Sequence, residues 1–311
     1  MPSPRSLSRR ATPFRPGPSL ADTAALVERL TLEADLRQAL VAGDLVLRYQ
    51  PIVDLRSGAV MAFEALCRWR HWSRGLLGPA EFLPMAEETG LLVPIGAWVL
   101  EEAARRLATW RSRRPEAAGV AVTVNLSAVE LRDRRLVDRA AWAVGAAGLP
   151  PERFLVEVSE EAAYAAEGED RAIRNLRALS ELGIGLAVDD VGLPRPGHRA
   201  GLPDPDGWLW ELPVRLLKVD RGVAIGLGHG PPDGRAHRAL AGAVALADQR
   251  GIPVVAKGIE TADQLSALYR RGCPAGQGFL FGRPMDPSDA EAFLRRVSRP
   301  GASPSSPSSP S

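Results

Sequence analysis

The 311-residue chain is 45% hydrophobic and 24% charged, the balance of a folded protein with apolar residues enough for a sizeable core, which excludes wholesale disorder. Lys plus Arg number 39 against 37 for Asp plus Glu, a formal net charge of +2, too small to mark a nucleic-acid or membrane-surface partner. Cys67 and Cys273 are the only cysteines, which excludes a disulfide framework or zinc cluster and suits a reducing cytosol, and no uncharged apolar run reaches the roughly eighteen residues of a membrane span.

Residues 1–24 mix Pro, Ser and Arg without apolar periodicity and read as a disordered tail. A single folded domain is expected over residues 25–297. Leu32, Leu36, Ala39 and Leu40 share one helix face, which Gly43 terminates. Leu45 to Val53 reads as a strand, and the turn Arg56-Ser57-Gly58 leads to a second, Val60 to Trp69, in hairpin-like pairing. Val99, Ala103, Leu107 and Trp110 return to helical spacing before a buried strand, Val120 to Asn125. Phe154 to Val158 (strand) precedes Ala172, Leu176 and Leu179 (helix). Two strands follow, Ile184 to Val188 and Val214 to Val219, then a helix through Leu240, Val244 and Ala247, and a strand from Ile252 to Ala256. Residues 298–311, nearly all Pro and Ser, read as a second disordered tail. Strand-helix alternation with near-continuous apolar strands specifies a parallel sheet covered by helices, and so many candidate strands in one chain favour a closed barrel over an open sheet.

Polar residues interrupt these strands toward their C-terminal ends. Glu64 stands in the second run, Asn125 ends the third, Glu157 lies in the fourth, Asp189 and Asp190 end the fifth, and Lys218 falls in the sixth. Taken singly, each has an ordinary role: Asn125 as a turn or cap, Lys218 with Asp220 as a surface ion pair, Asp189-Asp190 as a helix N-cap. A barrel gathers all of them on one rim. A ring of hard oxygen donors with a lysine beside it is the ligand chemistry of Mg²⁺ or Mn²⁺ and points to metal-assisted attack on a phosphate ester.

Gln50-Pro51-Ile52-Val53 followed by Glu64-Ala65-Leu66-Cys67-Arg68-Trp69 resembles the opening of an EAL domain, the cyclic di-GMP phosphodiesterase family named for that Glu-Ala-Leu. Similar stretches recur in order: Ala86-Glu87-Glu88-Thr89-Gly90-Leu91, Val124-Asn125-Leu126-Ser127, Glu157-Val158-Ser159-Glu160, Asp189-Asp190, Leu217-Lys218-Val219-Asp220-Arg221 and Gln277-Gly278-Phe279-Leu280-Phe281. Together they cover roughly residues 30 to 296, and so many ordered matches are far more specific than one short motif. The resemblance implies an α/β fold, a modified TIM-type (β/α)8 barrel whose first strand is antiparallel to the rest. It also implies hydrolysis of cyclic di-GMP to linear pGpG with two divalent cations, Mg²⁺ or Mn²⁺. By position it assigns Glu64, Asn125, Glu157 and Asp189 to metal and Asp190 to the second cation. Lys218, catalytic with Asp190, would orient the attacking water or stabilise phosphate charge. Arg68 would hold a phosphate oxygen through its planar fork of donors, and Gln50 and Gln277 would add polar contacts in the pocket.

Two departures stand against these matches. Where active members read Ala-Glu-Gly-Val-Glu-Thr, this chain has Ala256-Lys257-Gly258-Ile259-Glu260-Thr261, so Lys257 replaces a glutamate that the family needs for catalysis. At ~5 Å and an effective dielectric of ~20, each unit-charge interaction is worth roughly 3 kcal/mol, and the exchange changes local charge by two, which weakens or abolishes a cation site. The second departure is the loop after Asp190, where Val191-Gly192 leads into a Pro-rich stretch from Leu193 through Pro205 and Trp208. Glu160, which resembles the family's anchor for that loop, has lost the polar segment it would hold, and His198 within the loop reads as an ordinary surface residue. Three readings follow: a degenerate domain that binds cyclic di-GMP as a receptor or regulatory protein, a slow metal-dependent phosphodiesterase, and a nucleotide-independent interaction scaffold. The first is favoured, in a cytoplasmic protein, with a protein partner and a homodimer both left open.

Overall fold

The computed structural model describes residues 20–159, 162, 170–192, 212–229 and 234–297. Residues 1–19, the whole stretch 298–311, Glu160, His198 and the Pro-rich loop therefore lie outside the described residues, while residues 20–24, expected in the N-terminal tail, are helical. A helix α1 (Leu20–Ala42) leads into the hairpin of β1 (Leu45–Asp54) and β2 (Val60–His71), and α1 stops at Gly43 as its spacing predicts. At the hairpin turn, Asp54 Oδ1 accepts hydrogen bonds from the backbone N–H groups of Arg56 and Ser57 and from the Ser57 hydroxyl, a local arrangement that reverses the chain. Then come β3 (Gly75–Leu77), α2 (Pro79–Glu88), α3 (Leu92–Arg113), β4 (Ala121–Leu126), α4 (Ala128–Leu131), α5 (Leu136–Ala146) and β5 (Phe154–Ser159). The remaining described elements are α6 (Asp170–Glu181), β6 (Gly185–Val191), β7 (Val214–Val219), α7 (Arg221–His229), α8 (Arg235–Arg250), β8 (Val254–Ala256), α9 (Ala262–Tyr269), β9 (Ala275–Gln277) and α10 (Pro287–Val297).

The strands form one sheet in the order β1-β9-β8-β7-β6-β5-β4-β2, closed by pairing of β1 with β2, and β3 adds to β2 outside the ring. β1 runs antiparallel to both of its neighbours. From β2 through β4 to β9 every pairing within the ring is parallel. The fold is thus the barrel with a reversed first strand that the sequence resemblance implies.

Side chains alternate across each strand, so the ring has an inner and an outer set. Phe63, Val122, Val124, Val156, Val158, Leu186, Val188, Leu217 and Val219 face outward and are buried under the helices. Over β1 and β2 that cover comes from α3, whose Trp110 packs edge-on to Tyr49 at 4.8 Å and against Phe63 at 5.1 Å. The other parity forms a small separate cluster inside the barrel: Ile52, Ala62, Leu155, Ala187, Leu216, Val255 and Ala275. This apolar plug seals one end of the barrel and forms the floor beneath the polar residues described below.

The loop after β9 is held against the loop after β8. Ile259 N–H donates to Gln277 O and Leu280 N–H donates to Ile259 O, at 3.1 and 3.0 Å. Gly278 sits between these bonds, where a Cβ would lie 2.1 Å from Ile259 O. Gly278→Ala is therefore expected to destabilise the protein by about 1–3 kcal/mol through overpacking against backbone that cannot retreat, read as a lowered urea midpoint. An unchanged midpoint would show that the two loops are not locked together.

Candidate active site

Two residues beyond each member of the apolar plug stands a polar one. Ala62 is followed by Glu64, Leu155 by Glu157, Ala187 by Asp189, Leu216 by Lys218, Val255 by Lys257 and Ala275 by Gln277. In the reversed β1 the offset changes sign, and Gln50 precedes Ile52. The period-two geometry of strands thus lifts all seven side chains into one layer at one end of the barrel. On β4, Thr123 is level with Glu64 and Asn125 with Glu157, so both join this layer. Thr123, missed in the sequence reading, is fully buried with no partner for its hydroxyl. Its signal is the alternation Ala121-Thr123-Asn125.

Two lysines organise this layer. Lys218 is wholly buried, and its ammonium reaches Glu64 Oε2 at 2.8 Å and Glu157 Oε1 and Oε2 at 2.8 and 2.7 Å. It is no surface ion pair with Asp220. Glu64 also accepts from Asn125 Nδ2 at 2.9 Å and from Gln277 Nε2 at 2.7 Å. Gln277 Nε2 lies 3.2 Å from Gln50 Oε1, and Gln50 Nε2 donates to Gly282 O. Lys257 directs its ammonium inward to Asp189 Oδ1 and Oδ2 at 2.7 and 2.8 Å and to Asp190 Oδ1 at 2.6 Å. Its backbone N–H donates to Val219 O at 3.1 Å and so prolongs the β7–β8 pairing. Gly258 then turns away with φ +73 in contact with Arg221, where a Cβ would meet that side chain at 2.6 Å.

Asp190 has φ +59, a left-handed backbone that a residue with a Cβ adopts at a cost of about 1–2 kcal/mol. Its N–H donates to Asp189 Oδ1 at 2.7 Å, and its carboxylate is held by Lys257. The end of β6 is therefore a strained turn pinned by one ammonium, not a helix N-cap. Arg68 stands apart from the network. It lies four residues past Glu64 on the same face of β2, half-buried, with Nη1 donating to Cys67 O at 2.7 Å.

Burial opposes charge on Glu64, yet Lys218 and the two amide donors hold its carboxyl down at about 2. Burial and the neighbouring Glu64 charge push Glu157 up to about 7 against the pull of Lys218. Two carboxylates share one ammonium, so the pair titrates as a unit and Glu157 takes the first proton. Burial disfavours the ammonium of Lys218, but Glu157, Glu64 and Asp189 outweigh it and raise its pKa. The same balance raises Lys257, with Asp189 and Asp190 prevailing over burial and over repulsion by Lys218. Because folding raises the Glu157 pKa, this group favours the folded state below its ordinary value and loses that contribution as pH rises through about 7. Without divalent cations, stability from this group is expected to fall between pH 5 and pH 8, and Glu157→Gln to flatten that slope in urea titrations. An equal slope in both proteins would contradict the assignment.

The donor set does not fit a pair of divalent cations as the side chains stand. Both oxygens of Glu64, Glu157 and Asp189 already accept from an ammonium or amide. Among the described residues, no three His, Cys, Asp or Glu side chains are arranged around a common metal position. The four carboxylates Glu64, Glu157, Asp189 and Asp190 are met by the two ammonium groups of Lys218 and Lys257, which leaves a formal charge of −2. No helix among the described residues is long and apolar enough to cross a membrane.

Residues 33–284 match the EAL domain family. The chain is 40% identical over 270 residues to the bifunctional diguanylate cyclase/cyclic di-GMP phosphodiesterase MucR of Pseudomonas aeruginosa, covering 87% of this chain and 37% of that protein. It is 37% identical over 268 residues to the cyclic di-GMP phosphodiesterase NbdA of the same organism, covering 86% of this chain and 32% of NbdA. The chain thus spans about a third of the length of these relatives. The solved MucR phosphodiesterase in complex with c-di-GMP superposes with a TM-score of 0.75 at 38% identity, covering 84% of this chain and 99% of that one.

Proposed function

The chain belongs to the EAL domain family, and we propose that it binds cyclic di-GMP as a receptor or regulatory protein while hydrolysing it slowly or not at all. The observation that carries this reading is the inward-facing Lys257 ammonium, within 2.8 Å of Asp189 and Asp190 at the position where active members carry a required glutamate. A lysine in that place removes a carboxylate from the reacting centre and cannot act as its base while it is protonated. The groups assigned to nucleotide remain: Gln50 and Gln277 lie beside the carboxylate layer, and Arg68 stands further along the same face as Glu64. A signal read this way passes to a protein partner and not through a product.

The second reading, a metal-dependent phosphodiesterase, is favoured by the survival of Glu64, Asn125, Glu157, Asp189 and Lys218 as neighbours in one layer. The two readings share the pocket and differ in turnover. Calorimetric titration of cyclic di-GMP into the purified chain tests the shared part. Saturable binding is expected, weakened about 10–100-fold by Arg68→Ala, the loss that one charged hydrogen bond of about 1.5–3 kcal/mol entails. No binding at millimolar nucleotide would overturn both readings and leave the interaction scaffold.

A further inference from the structure

We propose that Lys257 is a tethered cation, whose ammonium fills the place between Asp189 and Asp190 so that a nucleotide phosphate meets a lysine there instead of a second divalent ion. Its three carboxylate contacts, at 2.6 to 2.8 Å, surround one point. A divalent ion on the same oxygens needs contacts of about 2.0–2.6 Å, so the ion and the ammonium cannot both occupy that point. Their like charges exclude each other as well.

The surroundings hold Lys257 there. Its backbone is fixed by the bond to Val219 O, and Gly258 packs directly on Arg221. Asp190 keeps a strained φ of +59 while its carboxylate bonds Lys257. The two lysines also differ in access. The Lys218 side chain is 0% exposed and its hydrogen bonds are all to Glu64 and Glu157, whereas that of Lys257 is 19% exposed. Lys257 is therefore the ammonium within reach of an incoming phosphate. The residual formal charge of −2 allows one divalent cation for neutrality and not two.

The phosphate part of this proposal rests on the reading of the site as a cyclic di-GMP pocket, and the cation part stands without it. Mn²⁺ binding is measured on the 311-residue chain without nucleotide, by paramagnetic resonance of the free ion, for wild type, Lys257→Glu and Lys257→Met. Wild type is expected to take up at most one Mn²⁺ per chain. Lys257→Glu is expected to gain one, with an affinity at least about a hundredfold above any second site in wild type. Lys257→Met, which removes the charge without adding a ligand, is expected to fall between them. Two Mn²⁺ on wild type would overturn the proposal, as would a folded Lys257→Glu chain that binds no more than wild type. If neither variant folds, the wild-type stoichiometry alone decides. In a second arm, wild-type affinity for cyclic di-GMP is expected to change less than about threefold between EDTA and Mg²⁺, and a larger loss in EDTA would contradict the phosphate role. Failure to bind cyclic di-GMP in either condition would sink the pocket reading and leave the Mn²⁺ stoichiometry to judge Lys257.

Discussion

Lys218→Met is expected to destabilise the folded protein by about 3–5 kcal/mol, the loss typical when one partner of a buried ion pair is removed. The ammonium sits at 2.7 to 2.8 Å from three oxygens of Glu64 and Glu157, and all three side chains are buried. Methionine fills much of the same volume, so packing alone would predict little change. What it removes is the one cation that Glu64 and Glu157 share, and one carboxylate must then take a proton, or the two repel each other in a medium that solvates neither. Urea denaturation reads the loss directly. Lys218→Met combined with Glu157→Gln is expected to recover part of it, since residues in one network couple. A loss below about 1 kcal/mol for the single variant would mean that the pair reorganises toward solvent.

Hydrolysis of cyclic di-GMP is expected to be absent or at least about 10²–10⁴-fold slower than that of an active family member assayed alongside. That is the usual contribution of one positioned general base, and the cation site disturbed by Lys257 adds to the loss. The ammonium of Lys257 contacts both Asp189 and Asp190, so the exchange of charge falls inside the carboxylate layer and not on the barrel's outer surface. Lys257→Glu alone is not expected to restore full activity, because the stretch after Gly192 also differs from that of active members. The check is the rate of pGpG appearance in Mn²⁺, and turnover at ordinary enzyme rates would contradict the prediction.

Much of the barrel is legible in the chain because strands repeat every two residues. Runs such as Phe154 to Val158 declare themselves by apolar content, and Glu157, Asp189 and Lys218 stand out as polar residues within them. The reversal of β1 is not written in that pattern; the short turn at Arg56-Ser57-Gly58 gives its hairpin pairing with β2, and its place in a closed barrel came from the resemblance, as did the placement of Lys257 and Gln277. Other elements escaped for local reasons. β3 has three residues, too few for a period, and α2 contains Pro84, which argues against a helix even though Phe82, Met85 and Ala86 are spaced for one. The start of α9 carries a capping signature, Thr261 with Gln264 three residues on.

Within the site, residue types were legible and their pairing was not. The sequence places Lys218 beside carboxylates, but it cannot tell an ammonium poised at an open mouth from one sealed against Glu64 and Glu157, since both have the same spacing. The inward turn of Lys257 depends on backbone that Gly258 and Asp190 shape through positive φ, and such conformations are set by packing across β6, β7 and β8. Arg68 shares a face with Glu64, yet its guanidinium bonds to Cys67 O, a choice that spacing does not fix.

The most direct test is a single-turnover experiment with the purified chain in excess over cyclic di-GMP, in Mn²⁺, in which the nucleotide is recovered and separated into cyclic and linear forms. Binding without turnover predicts that the nucleotide co-elutes with the protein and is recovered cyclic after minutes. Conversion of the bound nucleotide to pGpG within seconds, or a failure to retain it at all, would contradict the account.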